Sequence, residues 1–142
     1  MKLKNRMKLE IAARSENERF ARSAVAAFVA GEDPTLEEIS DLRCALSEAV
    51  TNAIVHGYRG REGGKVYIEV KVYEERVITL KVKDTGVGIA DIEQAMQPCY
   101  TEAPEEERGG MGFTIMQTFT DGIRVRSGLG KGTTVVMKKR FK

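Results

Sequence analysis

From Lys65 to Tyr73 the apolar residues Val66, Ile68, Val70 and Val72 alternate with Tyr67, Glu69, Lys71 and Tyr73. A period of two predicts a strand with one buried face. After a short turn at Glu74-Glu75-Arg76, the pattern resumes from Val77 to Lys83 with Ile78, Leu80 and Val82 inside, so the two runs predict a hairpin. The same parity carries the inner row on to Asp84, a carboxylate at the end of a core-facing row. Burying a lone carboxylate is costly, so Asp84 needs a hydrogen-bonding partner in the protein or in a ligand. Met7, Leu9, Ile11 and Ala13 predict a first strand, open to pairing with another copy if it lies at the sheet edge. Ile123 to Arg126 and Thr133 to Met137 predict the last two strands.

Helical spacing separates these runs. Ser15-Glu16-Asn17-Glu18 has the form of a capping box, and Phe20, Ala24, Val25 and Phe28 supply an inner face that Gly31 ends. Glu18 and Arg22, one turn apart, are expected on the outer face of this helix. A second box, Thr35-Leu36-Glu37-Glu38, opens a long helix whose apolar stripe is Ile39, Leu42, Leu46, Val50 and Ala53. Glu48, Asn52 and His56 stack away from that stripe, just before Gly57. Ile92 to Met96 predicts a short helix ended near Pro98, followed by a loop from Cys99 to Arg108. Gly109-Gly110-Met111-Gly112 then leads into a helix bearing Phe113, Ile115, Met116 and Phe119.

Length and composition narrow the class. A chain of 142 residues with 42% hydrophobic and 31% charged content is expected to form one domain over residues 1–142. The net charge of +2 is too small to imply nucleic-acid binding, and Lys138-Lys139-Arg140 reads as a solvated end. No apolar run is long enough to span a membrane, which predicts a cytoplasmic protein without a membrane partner. Cys44 and Cys99 have no metal-ligand spacing and read as free thiols, and a single histidine argues against a histidine-based metal site.

The candidate chemistry lies in three places. A carboxylate, Glu48, one turn from a carboxamide, Asn52, can hold a magnesium ion and take a proton beside it. Asp84-Thr85-Gly86-Val87-Gly88 turns sharply after a strand. Gly110 to Gly112 opens a helix, where bare backbone amides face an anion. Each segment taken alone is equally the form of a solvated helix face, a plain turn or a helix entry.

In this order the segments resemble the GHKL superfamily of ATP-binding domains. Glu48 to Asn52 looks like its N box, Asp84 to Gly88 like its first glycine box and Gly110 to Gly112 like its second. The resemblance implies an α/β (α+β) two-layer sandwich, the Bergerat fold, with a mixed, mostly antiparallel sheet covered by helices on one face. It also implies ATP and Mg²⁺ as cofactors. Asp84 would accept from the adenine amine, reinforced by Thr133, and Gly86 and Gly88 would let backbone approach the base and sugar. Asn52 would be the Mg²⁺ ligand. Gly110, Met111 and Gly112 would cradle phosphates, with Arg108 and Lys131 as candidate charge partners, and Glu48 would be catalytic.

Within the superfamily, a free-standing domain of this size resembles the anti-sigma-factor serine kinases, the sporulation anti-sigma F factors above all. The strings that carry this are Asn17-Glu18-Arg19-Phe20-Ala21-Arg22, Ser47 to Ile54 with His56-Gly57-Tyr58, and Gly110-Met111-Gly112-Phe113-Thr114-Ile115-Met116. This closer resemblance implies a homodimer that sequesters a sigma factor of the sigma F type and phosphorylates a serine on an anti-anti-sigma partner. Glu18 and Arg22 match the partner-contact positions. Tyr100-Thr101-Glu102-Ala103 departs from the family pattern in lacking a second threonine and a lysine. Two alternatives stay open, a non-catalytic nucleotide-dependent binding module and a stress-response relative serving another sigma factor.

Overall fold

Alternation in the strands determines which residues can meet across the sheet. A computed structural model of the chain describes residues 1–59, 63–89, 91–96 and 112–142. The strands are β1 (Leu3–Ala12), β2 (Lys65–Tyr73), β3 (Val77–Asp84), β4 (Gly122–Gly128) and β5 (Gly132–Arg140). They form one sheet in the order β1-β2-β3-β5-β4, and all four ladders are antiparallel. The helices are α1 (Asn17–Val29), α2 (Leu36–Asn52), α3 (Ile92–Ala95) and α4 (Gly112–Phe119).

Register pairing puts Ile68 beside Val82 and Val70 beside Leu80, and the latter two pairs continue to Val135 and Met137 on β5. This inner face packs on Val25 and Val29 of α1, Leu42, Leu46 and Val50 of α2, and Met116 of α4. Burial of that apolar surface is the main stabilising contribution, at about 25 cal/mol per Å². The opposite face carries Arg6 beside Lys71, Glu69 beside Lys81 and Thr79 beside Lys138, a polar surface. The result is the expected two-layer sandwich with helices on one face. No described helix is long and apolar enough to cross a membrane.

The second capping box forms as expected. Thr35 Oγ1 accepts from Glu38 N at 3.1 Å, and Thr35 N donates to Glu38 Oε1 at 2.9 Å. Glu38 also accepts from Lys142 N at 2.6 Å, and these backbone donors hold its carboxyl below the usual range. Replacing Thr35 by Ala removes the cap's acceptor and is expected to destabilise the protein by about 1 kcal/mol. Equilibrium urea unfolding would show the loss as a lower midpoint with an unchanged slope.

The first box does not form, although its sequence is of the same kind. Ser15 offers its backbone carbonyl, not its hydroxyl, to Glu18 N at 3.2 Å, and Asn17 Nδ2 donates to Ala12 O at 3.0 Å. The Glu18 carboxylate is turned away from the cap and accepts from Ser47 Oγ on α2. A tertiary partner has replaced a local one. The helix presents Ala21, Val25 and Val29 to the core, and Phe20, expected inside, is 58% exposed. The chain reverses beyond α1 at Asp33, whose φ of 53° is left-handed, and not at Gly31.

Candidate functional site

The C-terminal part of α2 and the turn that follows it carry the site. The last residue of α2 is Asn52, and the chain continues through a wider turn, Ala53–Gly57, before Tyr58. Gly57 is buried against the end of β3, where a methyl group added at its Cα would lie 2.9 Å from both Cγ and Oδ1 of Asp84. Nearer the start of the helix, a methyl group on Gly112 would lie 4.0 Å from Glu48 Oε1. Glu48 therefore faces the first residue of α4, and the turn after Asn52 faces Asp84. The nine steps from Glu48 to Gly57 span about 13 Å at helical rise. That is a span suited to a nucleotide stretched from base to terminal phosphate.

Asp84 is 4% exposed, and among the described residues no cation is paired with it. Its Oδ1 accepts from Gly86 N at 2.9 Å. Desolvation pushes its carboxyl above the usual range, opposed by hydrogen bonds from the backbone of Gly86 and Thr133. Such a carboxylate suits a neutral donor such as an amine on a bound base. Thr133, directly opposite Asp84 in the β3–β5 ladder, is also buried.

The glycines of the Asp84 loop also make a close approach within the protein. A methyl group on Gly86 would lie 1.9 Å from Gly57 O, and one on Gly88, where φ is 79°, would lie 2.0 Å from Gly128 O. On the side that a methyl group would occupy, both glycines meet protein backbone. Val87 N donates to Gly57 O at 2.8 Å across this seam, and Gly130 N to Val87 O at 2.8 Å. Gly86→Ala is expected to destabilise the protein by about 2–4 kcal/mol, because backbone must move on both sides of the seam. A thermal melt without ligand would show it.

Sequence reasoning overlooked two residues here. Tyr58 Oη accepts from Thr85 N at 2.9 Å and lies 2.5 Å from Lys65 O, tying the Asp84 loop to the start of β2. Ser127 Oγ accepts from Ile89 N at 2.7 Å, tying the far end of the loop to β4. The available signals were a polar-tipped aromatic just after the helix and a serine on β4 directly across from Thr133.

Lys131 sits on the tight β4–β5 turn, its aliphatic stem beside Gly128, which places it near the Asp84 loop. Arg108, Gly110 and Met111 lie outside the described residues, as do Cys99 and the segment Tyr100 to Ala103. Cys44 is an exposed free thiol. No group of three or more His, Cys, Asp or Glu side chains placed to hold a metal occurs among the described residues. A magnesium ion at Asn52 would thus draw its other ligands from phosphate oxygens and water.

Glu18 and Arg22 do not sit freely on the outer face of α1. The Glu18 side chain is 15% exposed and lies against Ser47 on α2, and Arg22 Nη1 is 3.9 Å from Glu18 Oε1. Arg22 Nε is buried without a hydrogen-bond partner among the described residues.

With this geometry established, comparison with known proteins identifies the family. Residues 11–139 match the family described as histidine kinase-like ATPase domain. The Anti-sigma F factor of Clostridium beijerinckii is 56% identical over 137 residues, covering 96% of this chain and 95% of that protein. The chain belongs to the anti-sigma F factor family of histidine kinase-like ATPase domains. The Anti-sigma F factor of Clostridium acetobutylicum is similar at 55% identity, with 98% of this chain and 96% of the relative covered. Among solved structures, the RsbU and RsbW domains of a Mycobacterium tuberculosis protein align with a TM-score of 0.69 at 18% identity, over 97% of this chain and 33% of that one. The mycobacterial sensor histidine kinase MprB aligns with a TM-score of 0.60 at 14% identity, over 96% and 99%. At these identities the structural likeness speaks for the fold. For this anti-sigma F family member, it agrees with the sheet and helices described above.

Proposed function

We propose that this chain is an ATP-dependent protein-serine kinase that is also an anti-sigma factor, acting in the cytoplasm as a homodimer. It holds a sigma factor of the sigma F type and phosphorylates a serine on an anti-anti-sigma protein. The observation that carries the reading is that the last turns of α2 and the turn after them set Glu48 beside the first residue of α4 and Gly57 beside Asp84. The names of the Clostridium relatives support the sigma-factor part.

The residue types allow each role. Asp84 accepts from the 6-amino group of adenine, with Thr133 beside it, and repels the oxygen that guanine presents there. Asn52 would offer an amide oxygen to Mg²⁺, and the amides from Gly110 to Gly112 would cradle the phosphates, with Arg108 and Lys131 as charge partners. The metal supplies neutralisation of charge on the phosphate oxygens. Glu48 orients the attacking serine hydroxyl and takes its proton. On α1, Arg22 Nε is a buried donor lacking an acceptor among the described residues, and Arg22 beside Glu18 is the proposed contact for a partner protein.

The test mixes the purified protein with γ-labelled ATP, Mg²⁺ and a host extract, then identifies the labelled protein, its labelled amino acid and what co-purifies. Label on serine of a small partner, with a sigma factor co-purifying, is expected. ATP binding without any label would favour the non-catalytic module, and a different co-purifying sigma factor the stress-response relative.

A further inference from the structure

Three side chains form a row across the sheet at the Asp84 end of the site. Asp84 on β3 is opposite Thr133 on β5, and Thr133 is opposite Ser127 on β4. Directly opposed residues point to the same side of a sheet, with Cβ atoms about 5 Å apart. Asp84 and Thr133 are the buried polar residues among those described.

The Ser127 hydroxyl makes three contacts. Its Oγ is 2.7 Å from Ile89 N, 2.9 Å from Gly132 O and 2.8 Å from Thr133 Oγ1. A backbone N–H only donates and a carbonyl only accepts, and a hydroxyl has one proton and two lone pairs. One assignment satisfies all three contacts. The Ser127 proton goes to Gly132 O, its lone pairs receive Ile89 N–H, and the remaining contact is made by Thr133 donating to Ser127. Thr133 Oγ1 then has no proton left for anything else.

We infer that Ser127 is a specificity-determining positioning residue, which fixes the Thr133 hydroxyl as an acceptor toward the bound base. The inference rests on the adenine reading of Asp84 given above. Two neighbouring groups, a carboxylate and a hydroxyl with its proton committed elsewhere, then face the 6-position of a purine with lone pairs only. A 6-amino group donates into that arrangement, directly or through a water. A 6-oxo group meets acceptors on both sides. Ser127 touches no base in this scheme and acts through Thr133. Losing its hydroxyl would release the Thr133 proton, which could then turn to a 6-oxo group.

The experiment is calorimetric titration of the full chain with Mg²⁺ and either ADP or IDP, which differ at the 6-position. The readout is the ratio of the two dissociation constants. Ser127→Ala is expected to lower the preference for ADP by roughly tenfold, the equivalent of about one hydrogen bond. Ser127→Thr should restore it. In a Thr133→Val background, Ser127→Ala should leave the ratio where Thr133→Val alone put it. Weakening of ADP and IDP by one common factor would overturn the inference and leave Ser127 as a loop tie. So would an equal fall in the ratio with Thr133 already removed. If Ser127→Ala does not fold, Ser127→Cys keeps the volume but accepts only weakly, so its preference should drop below that of the unaltered chain, and an unchanged preference overturns the proposal. Asp84→Asn separates the two levels. Undiminished ADP affinity in that variant sinks the base site itself, whereas lost affinity with an unmoved Ser127 ratio sinks only the inference about Ser127.

Discussion

Asp84→Asn should weaken ATP or ADP binding by at least about a hundredfold, while the protein without nucleotide stays as stable as before or becomes more so. Asparagine keeps an oxygen for Gly86 N, but its amide would set a donor against the amine of adenine. The stability half of this expectation comes from the buried charge. Desolvation raises the Asp84 carboxyl above its ordinary value, outweighing the backbone hydrogen bonds from Gly86 and Thr133. With its folded-state pKa above the unfolded value of about 3.9, the folded protein holds this proton more tightly. The contribution to stability is complete below that unfolded value and is lost as pH rises through the folded one. Urea unfolding of both proteins across acid and neutral pH should therefore give coincident stabilities in acid and an advantage for the Asn variant at neutral pH. Nucleotide affinity of the unaltered protein should fall as acid protonates the same group. A variant that binds ADP as before would remove base recognition from Asp84, and one equally destabilised at every pH would remove the buried-charge argument.

The second large effect belongs to Glu48. Glu48→Gln preserves shape and the approach to Gly112, but the amide cannot accept a proton. Phosphotransfer to the partner protein should fall by about 10²- to 10⁴-fold with ATP affinity within a few-fold of the original. Single-turnover transfer of labelled phosphate, measured beside calorimetric binding, checks both halves. Undiminished transfer would end the assignment of Glu48 as base, and a parallel loss of binding would point to a role in holding the nucleotide.

Much of the fold could be read where one physical influence dominates. The period of two from Lys65 to Tyr73 gives β2 with its observed bounds, because both faces of that strand have a clear preference. The same counting put Asp84 at the buried end of β3, where the structure has it. Local reasoning failed where a distant partner competed. The Ser15 and Thr35 boxes have the same form, yet only Thr35 caps its helix, because Glu38 has backbone donors within reach while Glu18 is drawn to Ser47. Phe20 reads as inward from the spacing of Phe20, Ala24, Val25 and Phe28, whereas the buried stripe is Ala21, Val25 and Val29. The glycines signal close approach, but sequence cannot say that Gly86 meets the turn after α2 and Gly88 the end of β4. Tyr58 and Ser127 were missed because their hydrogen bonds join segments far apart in sequence.

The backbone seam formed by Gly57, Gly86, Gly88 and Gly128 bears on how mutational surveys of such proteins are interpreted. Any side chain at Gly86 or Gly88 collides with a peptide group, and one at Gly57 collides with Asp84 itself. A saturation screen scored by survival would mark these positions as intolerant as strongly as any residue that touches a nucleotide. Their intolerance would include how closely these backbone segments interlock, so survival alone would not separate lost packing from lost nucleotide contact.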